Sequence, residues 1–181
     1  MKRSLTFLSI PILLIFCFTA CVKDTDFKQG DDVSLTPVVE LDLIYFNLVA
    51  EDFFDQVTQT PVLTVNDTTK IEFLNESGVR ENLVKADFQF TFTNSIPRQF
   101  LAEFNFLNEN NEQKYTITTN VESGSEDDPV ITNFFETIEG ADITRLTSSN
   151  KVVVSVTIPS SDINLEGTLN LKSKTTYFLE F

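Results

Sequence analysis

The 181-residue chain has no histidine and no tryptophan, only two cysteines, and 13 basic residues against 27 acidic ones. Each shortage excludes something. Without histidine there is no His-based catalytic triad, no imidazole general base, no His-ligated zinc or haem and no imidazole pH switch. A formal net charge of −14 opposes any role that depends on neutralising phosphates, so no nucleic acid is expected as a partner. The missing tryptophan, with no cysteine pair in the body of the chain, removes the Trp–disulfide signature of antibody domains. What is plentiful is phenylalanine, 18 residues, within a hydrophobic fraction of 41%. That is too apolar for a disordered acidic tail. The length suits one domain that buries roughly two thirds of its surface.

The N-terminus reads as an address. Met1, Lys2 and Arg3 give a positive start, Leu5 to Phe18 runs apolar, and Thr19-Ala20-Cys21 follows. This order over residues 1–20 is that of a secretory signal peptide. A run of about fourteen apolar residues falls short of the roughly twenty that span a bilayer, and Lys23, Asp24, Asp26 and Lys28 close it. Phe18-Thr19-Ala20-Cys21 resembles the lipobox of bacterial lipoproteins, with Phe18 standing where the family carries Leu, Val or Ile. The resemblance implies cleavage before Cys21 and its acylation by three fatty chains of the palmitate kind. One chain binds a membrane marginally, at about 0.8 kcal/mol per buried CH₂, whereas three make a stable anchor.

Val22 in place of Asp is unlike the inner-membrane retention signal of that family. Lys23-Asp24-Thr25-Asp26 resembles the Lys-plus-acids tag that sends lipoproteins of Bacteroidota to the cell exterior, and such a stretch also serves as a hydrated tether. The implied location is the outer membrane, facing outward, with its periplasmic face as the alternative. Loss of residues 1–20 removes Lys2, Arg3 and Cys17, leaving 11 − 27 = −16 and Cys21 as the sole cysteine. Disulfides, thiolate metal sites and a cysteine nucleophile are then not expected.

Residues 21–36 read as the acylated cysteine and a leash, polar and without periodicity, reaching about 20 Å as a coil and about 50 Å stretched. From residue 37 to 181 the dominant period is two. Ala86, Phe88, Phe90 and Phe92 alternate with polar residues, as do Phe100, Ala102, Phe104 and Phe106, then Tyr115, Ile117 and Thr119, then Val152, Val154, Val156 and Ile158. Each predicts a strand with one buried face. Val38 to Leu48 predicts a longer, more apolar strand, and shorter ones are expected at 62–65, 70–74, 168–171 and 176–181. The connections at 94–98, 108–112 and 122–129 are too short for parallel crossovers. Residues 129–150 carry irregular apolar spacing and predict one short helical segment, with Asp142 as a cap, plugging one end of the core. The expected fold is therefore all-β: a single antiparallel β-sandwich, immunoglobulin-like or jelly-roll, of eight to ten strands. An outer-membrane barrel is the competing architecture, because Tyr177, Leu179 and Phe181 resemble its aromatic last strand. Its strands of about nine to eleven residues exceed several of these.

Chemistry-bearing patterns are sparse. Ser148-Ser149-Asn150-Lys151 matches S-x-x-K, yet Ser161-Asp162-Ile163 and Lys174-Thr175-Thr176 depart from the S-D-N and K-T-G that penicillin-interactive enzymes also need. Two carboxylates could hydrolyse a glycan without histidine, but Glu40, Glu72, Asp87 and Glu103 fall on the solvent phase of their strands. Glu122, Glu126, Asp127 and Asp128 crowd one loop and make it the candidate for Ca2+, although their spacing is not that of an EF-hand. Phe53 and Phe54, framed by acids, are the candidate partner-binding aromatics, or else a segment covering the end of the sandwich. Asp67-Thr68-Thr69 resembles the D-[ST]-x sites at which Bacteroidota O-glycosylate exported proteins, which marks Thr68. The residues thus predict no enzyme and no resident cofactor. They predict a tethered binding or structural protein with a protein or glycan partner, the alternatives being a carboxylate-dependent glycan hydrolase or an envelope-complex accessory facing the periplasm.

Overall fold

The computed structural model describes residues 34–181. Cys21, Lys23, Asp24 and Asp26, and the signal segment before them, lie outside the described residues. Ten strands run in the order β1 (Val38–Val49), β2 (Phe54–Asp55), β3 (Thr60–Pro61), β4 (Thr64–Lys70), β5 (Leu83–Asn94), β6 (Phe100–Leu107), β7 (Gln113–Val121), β8 (Val130–Glu139), β9 (Lys151–Thr157) and β10 (Thr168–Leu179). Two short helices interrupt them, α1 (Ser77–Asn82) and α2 (Ala141–Thr147).

Eight of the strands form two four-stranded antiparallel sheets, ordered β1-β10-β5-β8 and β4-β9-β6-β7, while β2 and β3 make a small ribbon of their own. The pairs β1/β10, β4/β9, β5/β8 and β6/β7 are nested: the chain doubles back on itself about the β6–β7 turn. Successive nested pairs fall alternately into the first and second sheet. That winding is a jelly-roll β-sandwich, which decides between the two sandwich types expected. The sheets keep free edges at β1, β8, β4 and β7, so the described strands do not close a barrel.

Alternation dictates the core. Phe88, Phe90 and Phe92 of β5 face Phe104 and Phe106 of β6 across the two layers, all at 2% exposure or less. Phe90 and Phe104 have ring centroids 4.2 Å apart, and Phe88 meets Phe106 edge-on at 5.5 Å. Each buried phenylalanine contributes about 1.5–3 kcal/mol. The corner after β5 is held by Asn94, itself fully buried. Its amide nitrogen donates to the carbonyls of Arg98 and Glu122, and its Oδ1 accepts from Ile96 N–H, so no polar group of that side chain is left unpaired.

Three local expectations give way. The short strands expected at 62–65 and 70–74 are one strand, β4, followed by a 3₁₀ turn at Phe73–Asn75. Residues 130–139 are strand β8, not the start of a helix, because adjacent Phe134 and Phe135 face opposite sides of the sheet and blur the period. There are two short α-helices where one was expected, and α2 begins after Gly140, whose φ of +61° is a conformation that favours glycine. Asp142 lies inside the first turn and pairs with Arg145 at 3.0 Å instead of capping.

Candidate functional site

The outer face of the β1-β10-β5-β8 sheet carries the most distinctive surface chemistry. In strand β1 the pairing with β10 shifts between Asp42 and Tyr45, so that Leu43 and Ile44 together oppose Ser173. This β-bulge inverts the phase of the strand: Asp42 lies outward on one side of it and Tyr45 lies outward on the other. Ser173 points to the inner side and seals the break. Its Oγ accepts from Ile44 N–H at 2.9 Å and donates to the Ile44 carbonyl at 2.8 Å.

Beside the bulge is an open recess of about 460 Å³, lined by Asp42, Leu43, Ile44, Tyr45, Lys172 and Ser173. A second depression of about 210 Å³ continues across the sheet to Gln89, Thr91 and Lys174. The register lays out the rest. One row runs Tyr45, Lys172, Thr91, Asn133, the next Asp42, Lys174, Gln89, Phe135, and a third Asn47, Asn170, Thr93, Ile131.

Two rings stand out of this hydrophilic face, Tyr45 at 66% exposure and Phe135 at 65%. They lie three strands and one two-residue step apart, about 16 Å along the diagonal. The Tyr45 hydroxyl accepts from Asn170 Nδ2 at 3.4 Å, and Thr91 Oγ1 donates to Asn133 Oδ1 at 2.9 Å. On the outward phase of the paired strands, Lys85, Lys172 and Lys174 stand against Glu40, Asp42, Asp87 and Glu139, a balance of 3 − 4 = −1. Lys174 reaches Glu40 at 3.6 Å, while Lys172 has no ion-pair partner among the described residues. This face is close to neutral in a strongly acidic chain. It offers ring surfaces, amides and hydroxyls that can both donate and accept. The opposite sheet presents a different outer face, of Thr64, Asn66, Thr68, Ser155, Thr116 and Thr118, hydroxyl-rich and without aromatic rings at those positions.

The expected site residues are placed as follows. Phe53 is fully buried at the end of a 3₁₀ turn, its ring centroid 5.3 Å from that of Phe100, so it is core and not a partner-binding aromatic. Phe54, half-buried, begins the β2–β3 ribbon. Their acidic neighbours turn inward on the backbone: Asp52 accepts from Val49 N–H, and Asp55 accepts from Val57 and Thr58 N–H, which with the Thr58 hydroxyl hold the Asp55 carboxyl below its usual value.

The acidic loop does not gather. Glu122 accepts from Gln99 Nε2, and Asp128 is tied by its backbone to Ser125. No group of three or more His, Cys, Asp or Glu able to hold a metal ion exists among the described residues. Gly124, which read as a source of flexibility, sits where a Cβ would come 1.9 Å from the Asn94 carbonyl oxygen, so it is there for close approach. Thr68 is exposed on edge strand β4, with its N–H bound by the Asp67 carboxylate at 2.7 Å.

For bond-breaking chemistry the acids point the wrong way. At Asp87 burial pushes the carboxyl up, but the Lys85 ammonium at 2.8 Å and the Thr137 hydroxyl at 2.7 Å outweigh it and the net shift is down. The Glu112 carboxyl is also lowered, chiefly by its hydrogen bond from Lys114. A general acid needs the opposite displacement. The serine of the S-x-x-K run, Ser148, donates back to the Thr144 and Arg145 carbonyls at the end of α2.

Comparison with known proteins agrees in kind. No protein-family model matches the sequence, and no curated protein matches it. Among solved structures, a protein of Parabacteroides distasonis described as a "putative secreted protein" aligns at 11% identity and a TM-score of 0.47, over 63% of this chain and 37% of that one. The VP2 subviral particle of infectious bursal disease virus aligns at 8% identity and a TM-score of 0.46, over 80% of this chain and 32% of that one. Tailspike protein 4 of bacteriophage CBA120 aligns at 12% identity and a TM-score of 0.39, covering 80% of this chain and 19% of that one. The chain thus spans well under two thirds of each. At such identities and TM-scores nothing of their activity transfers, and the jelly roll stands on this chain's own strand order.

Proposed function

We propose that this protein is a lipid-anchored, non-catalytic glycan-binding module of the outer-membrane surface. The observation that carries the reading is the pair of exposed rings, Tyr45 and Phe135, set among Asn47, Asn133, Asn170, Gln89 and Lys172 on one face of the sheet. Sugar rings stack their C–H faces on aromatic side chains, and their hydroxyls exchange hydrogen bonds with amides. A face of alternating ring and amide, long enough for a short oligosaccharide, meets both needs. The near-neutral charge of that face lets a ligand approach a chain that otherwise repels anions.

The anchor rests on the lipobox-like Phe18–Cys21 segment and the charged residues after it. No helix among the described residues is long and apolar enough to cross a membrane. An oligosaccharide screen on the mature chain, repeated with Tyr45→Ala and Phe135→Ala, tests the reading. Both variants keep the fold, since each ring is about two thirds exposed, and each is expected to weaken binding about tenfold or more. Binding that survives the double variant undisturbed refutes the proposed face.

A further inference from the structure

A second, unrelated recess lies at one end of the sandwich, where α1, the end of α2 and the β6–β7 turn converge. One lobe, of about 470 Å³, is lined by Arg80 and Glu81 of α1 and by Thr144, Thr147 and Ser148. The other, of about 270 Å³, shares Arg80, Thr147 and Ser148 and extends to Asn108, Glu109 and Asn150. Two groups here are unsatisfied. Arg80 makes no ion pair and no side-chain hydrogen bond among the described residues, although acids outnumber bases two to one in the chain and two of them line the same recess. Asn150 Oδ1 is buried and accepts no hydrogen bond.

A buried acceptor left open asks for a donor. Asn150 is held in place by its backbone, whose N–H reaches the Leu107 carbonyl and whose carbonyl takes Ile71 N–H. Its side chain is thus fixed without being spent. Asn108, by contrast, uses its Oδ1 on Asn110 and Glu112 N–H, which shapes the turn that walls the recess.

We infer that this end recess is a binding site for a neutral monosaccharide unit. The wall offers donors in the Arg80 guanidinium, acceptors in Glu81, Glu109 and Asn150 Oδ1, and hydroxyls that serve as either. A sugar's hydroxyls donate and accept at once and so satisfy both kinds. With Arg80 set against two glutamates, the local charge is 1 − 2 = −1, which disfavours an anionic ligand. The smaller lobe falls just below the usual range for ligand pockets, the right scale for one ring and too small for a chain. This site is separate from the sheet face, so the two readings stand or fall independently.

The test is saturation-transfer NMR on the full chain in detergent micelles, with D-glucose, D-galactose, D-mannose, N-acetyl-D-glucosamine and D-glucuronate as probes at about 1 to 10 mM, the range in which single-sugar affinities fall. Arg80 is exposed and bonded to nothing through its side chain, so Arg80→Ala folds. The expected result is transfer to at least one neutral sugar, lost in Arg80→Ala and kept in Tyr45→Ala. Absence of transfer to every neutral sugar, its persistence in Arg80→Ala, its loss in Tyr45→Ala, or transfer to glucuronate alone overturns the inference.

Discussion

Ser173→Ala is the sharpest probe of how the fold presents its outer face. The serine hydroxyl makes two hydrogen bonds, from Ile44 N–H at 2.9 Å and to the Ile44 carbonyl at 2.8 Å, where the β1–β10 ladder breaks. Ile44 is 4% exposed and Ser173 is 8% exposed, so water has little access to replace what is lost. Removing the hydroxyl strands one donor and one acceptor of the backbone, each costing about 1–3 kcal/mol when buried and unpaired. The sum is about 2–4 kcal/mol after partial relaxation of an edge strand. With a urea m-value of about 2 kcal/mol/M, the midpoint falls by about 1–2 M at unchanged slope. Ser155→Ala is the matched control. It is the same chemical change on the outward phase of β9, where the hydroxyl makes no hydrogen bond to another described residue, and it is expected to stay within about 0.5 kcal/mol. Amide exchange at Ile44 should quicken in the Ser173 variant alone. If Ser173→Ala costs no more than Ser155→Ala, the hydroxyl does not hold the bulge and the derivation fails.

Other expectations follow from the same geometry. Phe92→Asp places an unpaired carboxylate at a fully buried position and should abolish cooperative unfolding; a native circular dichroism spectrum and melt would show that Phe92 is not core. Burial pushes the Tyr177 hydroxyl up to about 12 from 10.0. Its folded-state pKa exceeds its unfolded one, so the contribution is whole below pH 10 and is lost as pH climbs through 12. The wild-type chain should shed up to about 3 kcal/mol over that window, a slope that Tyr177→Phe flattens in denaturant titrations at stepped pH. Cys21→Ser should abolish acylation and release the chain from the membrane fraction; unchanged processing and fractionation would remove the proposed anchor.

Much of the fold is legible in the chain because each long inner row keeps strict alternation. Phe88, Phe90 and Phe92, or Val152, Val154 and Val156, leave no doubt about strand or buried phase. The nesting of pairs was not legible. Strand runs alone do not say which partner each takes, and the sum of four antiparallel pairings about the 108–112 turn is what separates a jelly roll from an immunoglobulin-like order. Strand β8 escaped because it is an edge: Ile131 and Phe135 lie on its solvent side, so its apolar spacing fits neither period.

The candidate face was hidden by the bulge. Counting by twos from Glu40 and Asp42, both outward, places Ile44 outward and Tyr45 inward, whereas the extra residue reverses that: Ile44 is 4% exposed and Tyr45 is 66% exposed. A single inserted residue therefore converts what reads as a core tyrosine into the most exposed ring of the sheet, and the residue that stabilises the inversion, Ser173, sits 129 positions away. The one local hint is Ser173 itself, with Thr175 the other hydroxyl among the inward positions of β10 between Leu171 and Tyr177. A hydroxyl on a buried phase has to spend its hydrogen bonds somewhere, and an interrupted neighbouring ladder is where unpaired backbone groups arise. Conversely, the aromatics that looked exposed by their acidic frame were misjudged for a related reason. Asp52 and Asp55 spend their charge on backbone N–H groups at a tight reversal, which lets Phe53 turn under the sheets to meet Phe100. In both places the backbone's hydrogen-bond demand, and not side-chain hydropathy, decides which ring faces water.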